Sequence, residues 1–106
     1  MNNPKVSIIV PCYNSEKWIE QCITSALNQD YENIEVIFVD NESIDSSVEI
    51  VKKIKSDKLV LSSAPNIYPH CWDEGREEGI RLSTGDYILI MGSDDYLENN
   101  FISNCM

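Results

Sequence analysis

Four short apolar runs, each closing on polar residues, constrain this chain more than any other feature. Lys5–Pro11 carries Val6, Ile8, Ile9 and Val10 and stops at a proline, the pattern of a buried strand. Ile34–Val39 repeats the pattern and ends at Asp40. Lys58–Leu61 is a shorter third strand, and Tyr87–Met91 a fourth. The intervening segments have helical spacing. Trp18, Ile19, Cys22, Ile23, Ala26 and Leu27 form one apolar stripe running to about Asn28, with Asn14 or Ser15 as its cap. Ser46 and Glu49 have the spacing of a capping box before Val48, Val51 and Ile54. Asp73–Ser83 reads as a third helix, weakened by Gly75 and Gly79. Asp30–Asn33 is a turn, and Ser62–His70 is a loop holding Pro65 and Pro69.

Strands alternating with helices predict an α/β domain, a mainly parallel sheet flanked by helices on both faces. Crossovers in such sheets are right-handed, and ligands gather at the carboxyl ends of the strands. The residues just after the strands are chemically useful. They are Cys12-Tyr13-Asn14, Asp40-Asn41-Glu42-Ser43 and Gly92-Ser93-Asp94-Asp95. These three segments are expected to converge on one rim. At 106 residues the chain is one domain.

Charge narrows the partners. Eight Lys and Arg against 18 Asp and Glu give a net charge of −10. Nucleic acid is excluded as a main partner, because phosphate binding needs clustered cations. An anionic membrane surface is disfavoured for the same reason. An anionic ligand requires something to offset the repulsion, and a divalent cation serves. No apolar stretch approaches the roughly 18–20 residues that span a bilayer, and the amino terminus does not read as a secretory signal. The four cysteines form no Cys-x-x-Cys pair and there is one histidine, so no zinc pattern exists. They read as free thiols in a reducing cytoplasm.

Asp94 and Asp95 are the sharpest chemical feature. Adjacent carboxylates at a strand end repel unless a cation or hydrogen-bond donors offset them. Mg²⁺ or Mn²⁺ takes such oxygens and completes its shell with phosphate and water; a solvated turn is the alternative. Asp40 has the chemistry to accept a bond from a base N–H or a ribose hydroxyl, or to close an Asx turn. Tyr13 and Asn14 suit a base or sugar; equally, Asn14 suits a helix cap and Tyr13 local packing. Arg76 is either a diphosphate partner or one half of a surface ion pair. His70 and Trp72 read as structural. Gly-x-Gly-x-x-Gly and Walker A loops are absent.

Together these segments resemble a known family. Val6-Ser7-Ile8-Ile9-Val10-Pro11-Cys12-Tyr13-Asn14 is similar to the opening strand of family 2 glycosyltransferases. The stretch from Ser25 to Asp40 resembles the turn and second strand of that family. Asn41-Glu42-Ser43-Ile44-Asp45 resembles its Asp-Gly-Ser-Thr-Asp segment, and Thr84–Asp95 its Gly-Asp-Tyr-Ile strand with a DXD-type metal motif. The resemblance implies a Rossmann-like GT-A nucleotide-diphospho-sugar transferase fold. It implies a nucleoside-diphosphate sugar, most often a UDP-sugar, as donor and Mg²⁺ or Mn²⁺ as cofactor. Carried over by position, Pro11, Tyr13 and Asn14 line the nucleoside pocket, Asp40 contacts the base and Arg76 approaches the diphosphate. Asp94 holds the metal with Asp95 beside it. The implied reaction is inverting transfer to the hydroxyl of an acceptor glycan or lipid-linked sugar, in cell-surface polysaccharide biosynthesis, in the cytoplasm or at the inner face of the membrane.

Three positions depart from the family pattern. Gly92 stands at the first Asp of the metal motif, Glu42 at a usual Gly and Glu77 at a usual Asn. The family's catalytic domain is also roughly twice this length, within the ordinary domain range. The chain therefore reads as a truncated, amino-terminal donor-binding half, in which no catalytic base is assigned. An uncovered sheet edge that favours a homo-oligomer is expected. The rival reading is a non-catalytic interaction or oligomerisation module that keeps the fold. A phospho-acceptor signalling domain is disfavoured, because the first strand ends in Cys-Tyr-Asn rather than in carboxylates.

Overall fold

The computed structural model describes residues 3–65 and 71–106, with the side chains of 71–73 left aside. His70 and Pro69 lie outside the described residues, as does the side chain of Trp72. Eight elements follow in order: β1 (Val6–Cys12), α1 (Ile19–Leu27), β2 (Ile34–Asp40), α2 (Ser47–Lys52), β3 (Leu59–Ser63), α3 (Cys71–Leu82), β4 (Tyr87–Ile90) and α4 (Phe101–Cys105).

The strands form one parallel sheet in the order β3-β2-β1-β4. The chain starts at β1, steps outward through β2 to β3, and returns to the far side of β1. Right-handed crossovers then fix the layers. The β1→β2 and β2→β3 connections carry α1 and α2 to one face. The reversed β3→β4 connection carries α3 to the other. The residue pattern agrees. Ile8, Val10, Val36 and Phe38 face α1, α2 and α4 in one core with Cys22, Ile23, Ala26, Val51 and Ile102. Ile9, Ile37 and Val39 face the opposite way, with Leu82 of α3. Strand order reverses between β1 and β4, so the crevice expected of such sheets opens at those two strand ends.

The two glycines of α3 weaken the isolated helix but serve its docking. A Cβ on Gly75 would lie 2.6 Å from Asn41 Oδ1 and 3.0 Å from Pro11 Cβ, and one on Gly79 would overlap Ile9 Cγ2. Their absence lets α3 lie directly on β1 and β2.

Several local expectations are corrected. α1 begins at Ile19, four residues later than a cap at Asn14 requires and three later than one at Ser15. The Ser15 carbonyl accepts from the amides of Trp18 and Ile19 in a preceding turn. The capping box of α2 does not form. Asp45 Oδ1 instead accepts from the Ser47 amide (3.0 Å) and hydroxyl (2.7 Å), which satisfies the helix start from one residue earlier. β3 and β4 are the two edges of the sheet, and Val60, Leu61, Tyr87, Ile88 and Ile90 remain exposed on them.

At the amino ends of the strands, Glu35 is the hub of a buried polar network. Its Oε2 accepts from the Ser7 hydroxyl (2.6 Å), the Thr84 amide (2.7 Å) and the Thr84 hydroxyl (3.1 Å), while Lys5 Nζ stands 3.6 Å from Oε1. Burial pushes this carboxyl up. The bonds from Ser7 and Thr84 and the Lys5 charge outweigh it and hold Glu35 below the ordinary glutamate range. The stabilisation is complete above the unfolded glutamate value, about 4.3, and is lost as pH falls through the lower folded value. Urea unfolding between pH 7 and pH 2.5 is expected to show a loss of stability in the acid range that Glu35→Gln lacks. Identical pH profiles for the two proteins would contradict it.

Candidate functional site

The carboxyl ends of β1 and β4 and the residue following β2 border an open cleft of about 450 Å³. Pro11, Cys12, Tyr13, Ser15, Trp18, Asn41, Gly92, Ser93 and Asp94 line it. The three polar segments do converge. The residue each contributes is not always the expected one.

Asp40 does not line this cleft. Side chains alternate along a strand, so Asp40 shares its face with Phe38, beneath α2. It borders a separate hollow of about 380 Å³ with Val48, Lys52 and Ser62. Its Oδ2 accepts from the Ser43 amide (2.9 Å). Its Oδ1 is buried with no hydrogen-bond partner among the described residues. The next residue, Asn41, points to the α3 side, buried against Pro11 and Gly75, and reaches the cleft. Sequence reasoning missed Asn41. Parity with Ile37 and Val39 was its only signal, and both faces of this sheet are apolar.

Asn14 serves as a staple. It sits at φ 52° in the left-handed region, which asparagine tolerates. Its Oδ1 accepts from the Ile44 amide (2.9 Å), and its own amide donates to Ser43 Oγ (2.9 Å). These bonds tie the loop after β1 to the loop after β2. Glu42 sits at φ 60°, the left-handed region that favours glycine. Tyr13 is 42% exposed and forms one wall of the cleft. Arg76 is exposed on α3, one residue from Gly75, and is not among the residues lining the cleft.

The Gly92–Asp95 turn presents the acidic pair. Asp95 Oδ2 accepts from the Gly92 amide (3.1 Å), and the Gly92 carbonyl accepts from the Asp95 amide (3.1 Å). Asp94 makes no hydrogen bond among the described residues and faces the cleft. Two ties hold the turn from the α1 side. The hydroxyls of Ser15 and Ser93 share a hydrogen bond, and the Cys22 thiol donates to the Gly92 carbonyl (3.4 Å). Burial, with the carboxylates of Asp95 and Asp94 adding negative charge nearby, pushes the Cys22 thiol up to about 12. Cys22 therefore stays a neutral donor at any working pH. Burial also raises Cys12.

The segment after the turn is docked on α1. Ser25 Oγ accepts from the Leu97 amide (3.0 Å), Gln29 Nε2 donates to the Glu98 carbonyl (2.7 Å), and Gln29 Oε1 accepts from the Ile102 amide (2.9 Å). The acidic turn is thus fixed at both ends.

A hard divalent cation fits this donor set. Asp94 and Asp95 supply carboxylate oxygens on one exposed turn. Among the described residues no group of three or more His, Cys, Asp or Glu converges on a metal position. A cation held there would draw its remaining ligands from outside the chain, as Mg²⁺ commonly does from water and substrate phosphates.

A four-stranded parallel sheet of this order, with an acidic turn at its reversal point, defines an open α/β fold, and its likeness to known proteins specifies the family. The profile of Glycosyl transferase family 2 matches residues 7–106. An uncharacterized glycosyltransferase of Haemophilus influenzae is 42% identical over 103 residues, covering 94% of this chain and 40% of that protein. Among solved structures, S. aureus TarS 1–349 in complex with UDP superposes with a TM-score of 0.81 at 28% identity, covering 95% of this chain and 30% of that one. The mannosyltransferase PcManGT from Pyrobaculum calidifontis, in complex with GDP-Man and Mn²⁺, gives a TM-score of 0.83 at 25% identity, covering 98% of this chain and 32% of that one. The chain belongs to glycosyl transferase family 2 and has the GT-A type of fold. It spans about 40% of the length of the Haemophilus relative and about a third of the two structures. No helix among the described residues is long and apolar enough to cross a membrane.

Proposed function

We propose that this chain binds the nucleoside-diphosphate sugar donor of an inverting, metal-dependent glycosyl transfer, with a UDP-sugar as the donor. The observation that carries the reading is the shared cleft. An aromatic ring (Tyr13), a buried amide (Asn41) and an exposed carboxylate (Asp94) border one opening at the reversal point of the sheet.

Each group has a task in that reading. Pro11 and Tyr13 offer apolar surface to the base, and Asn41 meets its polar edge. Asn14 and Asp40 act one step removed, by holding the loops after β1 and β2 in place. Asp94 and Asp95 hold Mg²⁺ or Mn²⁺, which when bound neutralises the diphosphate and acts as a Lewis acid on the leaving group. A protein of net charge −10 needs that neutralisation to accept an anionic ligand. The acceptor in this reading is the hydroxyl of a glycan or lipid-linked sugar.

Isothermal titration of the chain with UDP tests the reading. Binding in the micromolar to millimolar range is expected with Mn²⁺, and at least tenfold weaker binding with EDTA (about 1.4 kcal/mol). An absence of heat in both conditions would overturn it.

A second reading has its own observation. An apolar hollow of about 340 Å³ lies on the β4 edge, lined by Tyr87, Ile88, Leu89, Phe101 and Met106 among others. An uncovered strand edge of this kind suits self-association. A stable oligomer in sedimentation velocity, together with no UDP binding, would favour an interaction module over a donor-binding one.

A further inference from the structure

Trp18 is left unexplained by the reading above. Its place on the apolar stripe predicts a buried indole. α1 begins one residue later, and Trp18 falls outside the core at 48% exposure. Tryptophan is on average among the well-buried residues, so a half-exposed indole on the wall of a cleft calls for an account.

Its position is tightly bracketed. Ser15, three residues before it, shares a hydrogen bond with Ser93. Cys22, four residues after it, donates to the Gly92 carbonyl. The Trp18 amide donates to the Ser15 carbonyl (2.9 Å), and its carbonyl accepts from the Cys22 amide (3.0 Å). Trp18 is thereby fixed beside the acidic turn, at the β4 side of the opening, and Asn41 stands at the β2 side.

We infer that the indole of Trp18 is the platform on which the sugar ring of the donor lies. The inference rests on the donor-binding reading and deepens it. A nucleoside-diphosphate sugar is linear in its parts: base, ribose, diphosphate, sugar. With the base at Pro11, Tyr13 and Asn41, and the diphosphate at Asp94, the sugar emerges on the Trp18 side. A pyranose has an apolar face of C–H groups and a rim of hydroxyls. The site offers both partners, an aromatic surface and the polar groups of Ser15, Ser93 and Asp94 around it. The base does not need this ring, since Tyr13 already supplies an aromatic wall at β1.

The test compares UDP with UDP-glucose and UDP-N-acetylglucosamine, all with Mn²⁺, on wild type, Trp18→Ala and Trp18→Phe. UDP is expected to bind all three proteins within a factor of two. At least one UDP-sugar is expected to lose roughly fivefold in affinity in Trp18→Ala and to recover most of it in Trp18→Phe, the scale of one aromatic contact. In a Trp72→Phe background the remaining indole should change its emission on addition of that UDP-sugar and not of UDP. Equal losses for UDP and UDP-sugars would overturn the assignment, because the ring would then serve the nucleotide or the fold. Unchanged UDP-sugar affinity in Trp18→Ala would overturn it too, with nucleotide binding left intact. A wild type that binds no UDP at all is a separate result, which overturns the donor-binding reading and the platform with it.

Discussion

Asp94→Asn is expected to weaken UDP binding in the presence of Mn²⁺ by roughly a hundredfold, about 2.7 kcal/mol, while moving the melting temperature little. The two halves of this expectation have different origins. Asp94 is exposed and makes no hydrogen bond among the described residues, so removing its charge leaves no group stranded. What disappears is a charged ligand to a hard cation, and an amide is a poor substitute. Asp95→Asn provides the contrast. Asp95 Oδ2 closes the turn by accepting from the Gly92 amide, so its replacement should weaken binding and also lower the melting temperature. A loss of 1 kcal/mol corresponds to about 4–8 °C in a domain of this size. Titration calorimetry and thermal melts on the two variants separate the roles. Wild type in EDTA should bind UDP as poorly as Asp94→Asn in Mn²⁺. Wild-type affinity in Asp94→Asn would remove the cation from the reading.

The sequence shows the sheet more clearly than it shows the site, and particular residues explain why. β1 and β2 are legible because Val6, Ile8, Ile9 and Val10, and then Ile34 to Val39, are buried on both faces and cannot be mistaken for amphipathic strands. The convergence of strand ends follows from parallel topology alone. The choice between Asp40 and Asn41 does not. Both follow the same apolar run, and a carboxylate attracts attention where an amide does not. Only the strand's parity, anchored by Phe38 against α1 and α2 and by Val39 against α3, sends Asn41 to the cleft and Asp40 beneath α2. Trp18 misleads for a related reason. A helical stripe gives periodicity but not the first residue of the helix, and here the turn at Ser15 delays the start. Asp45 rather than Ser46 caps α2, a one-residue ambiguity that spacing cannot resolve. α4 is not legible in the sequence because its helical pattern is short, and its docking depends on Gln29, over seventy residues earlier in the chain.

Gly85→Ala is expected to be the most destabilising small substitution outside the cleft, at roughly 3 kcal/mol or more. A Cβ on Gly85 would stand 2.6 Å from Ser7 Oγ, 2.8 Å from the Ser7 amide nitrogen and 2.9 Å from the Lys5 carbonyl oxygen. Two of these are backbone atoms at the start of β1, which is paired on both sides by β2 and β4 and cannot retreat without breaking a ladder. The third is the hydroxyl that accepts from the Gly85 amide (2.8 Å) and donates to Glu35, so displacing it also loosens the buried carboxylate network. Gly79→Ala makes an informative comparison, because the obstacle there is the side chain of Ile9 rather than backbone. Pairing Gly79→Ala with Ile9→Ala should recover part of the Gly79→Ala loss, a coupling that a double-mutant cycle reads directly. Pairing Gly85→Ala with Ser7→Ala should recover little, since the clash with the β1 backbone remains and Glu35 loses a donor. Urea unfolding of the four single and two double variants measures both couplings. If Ser7→Ala restored the stability of Gly85→Ala, the constraint would lie in the hydroxyl and not in the close approach of the two chains.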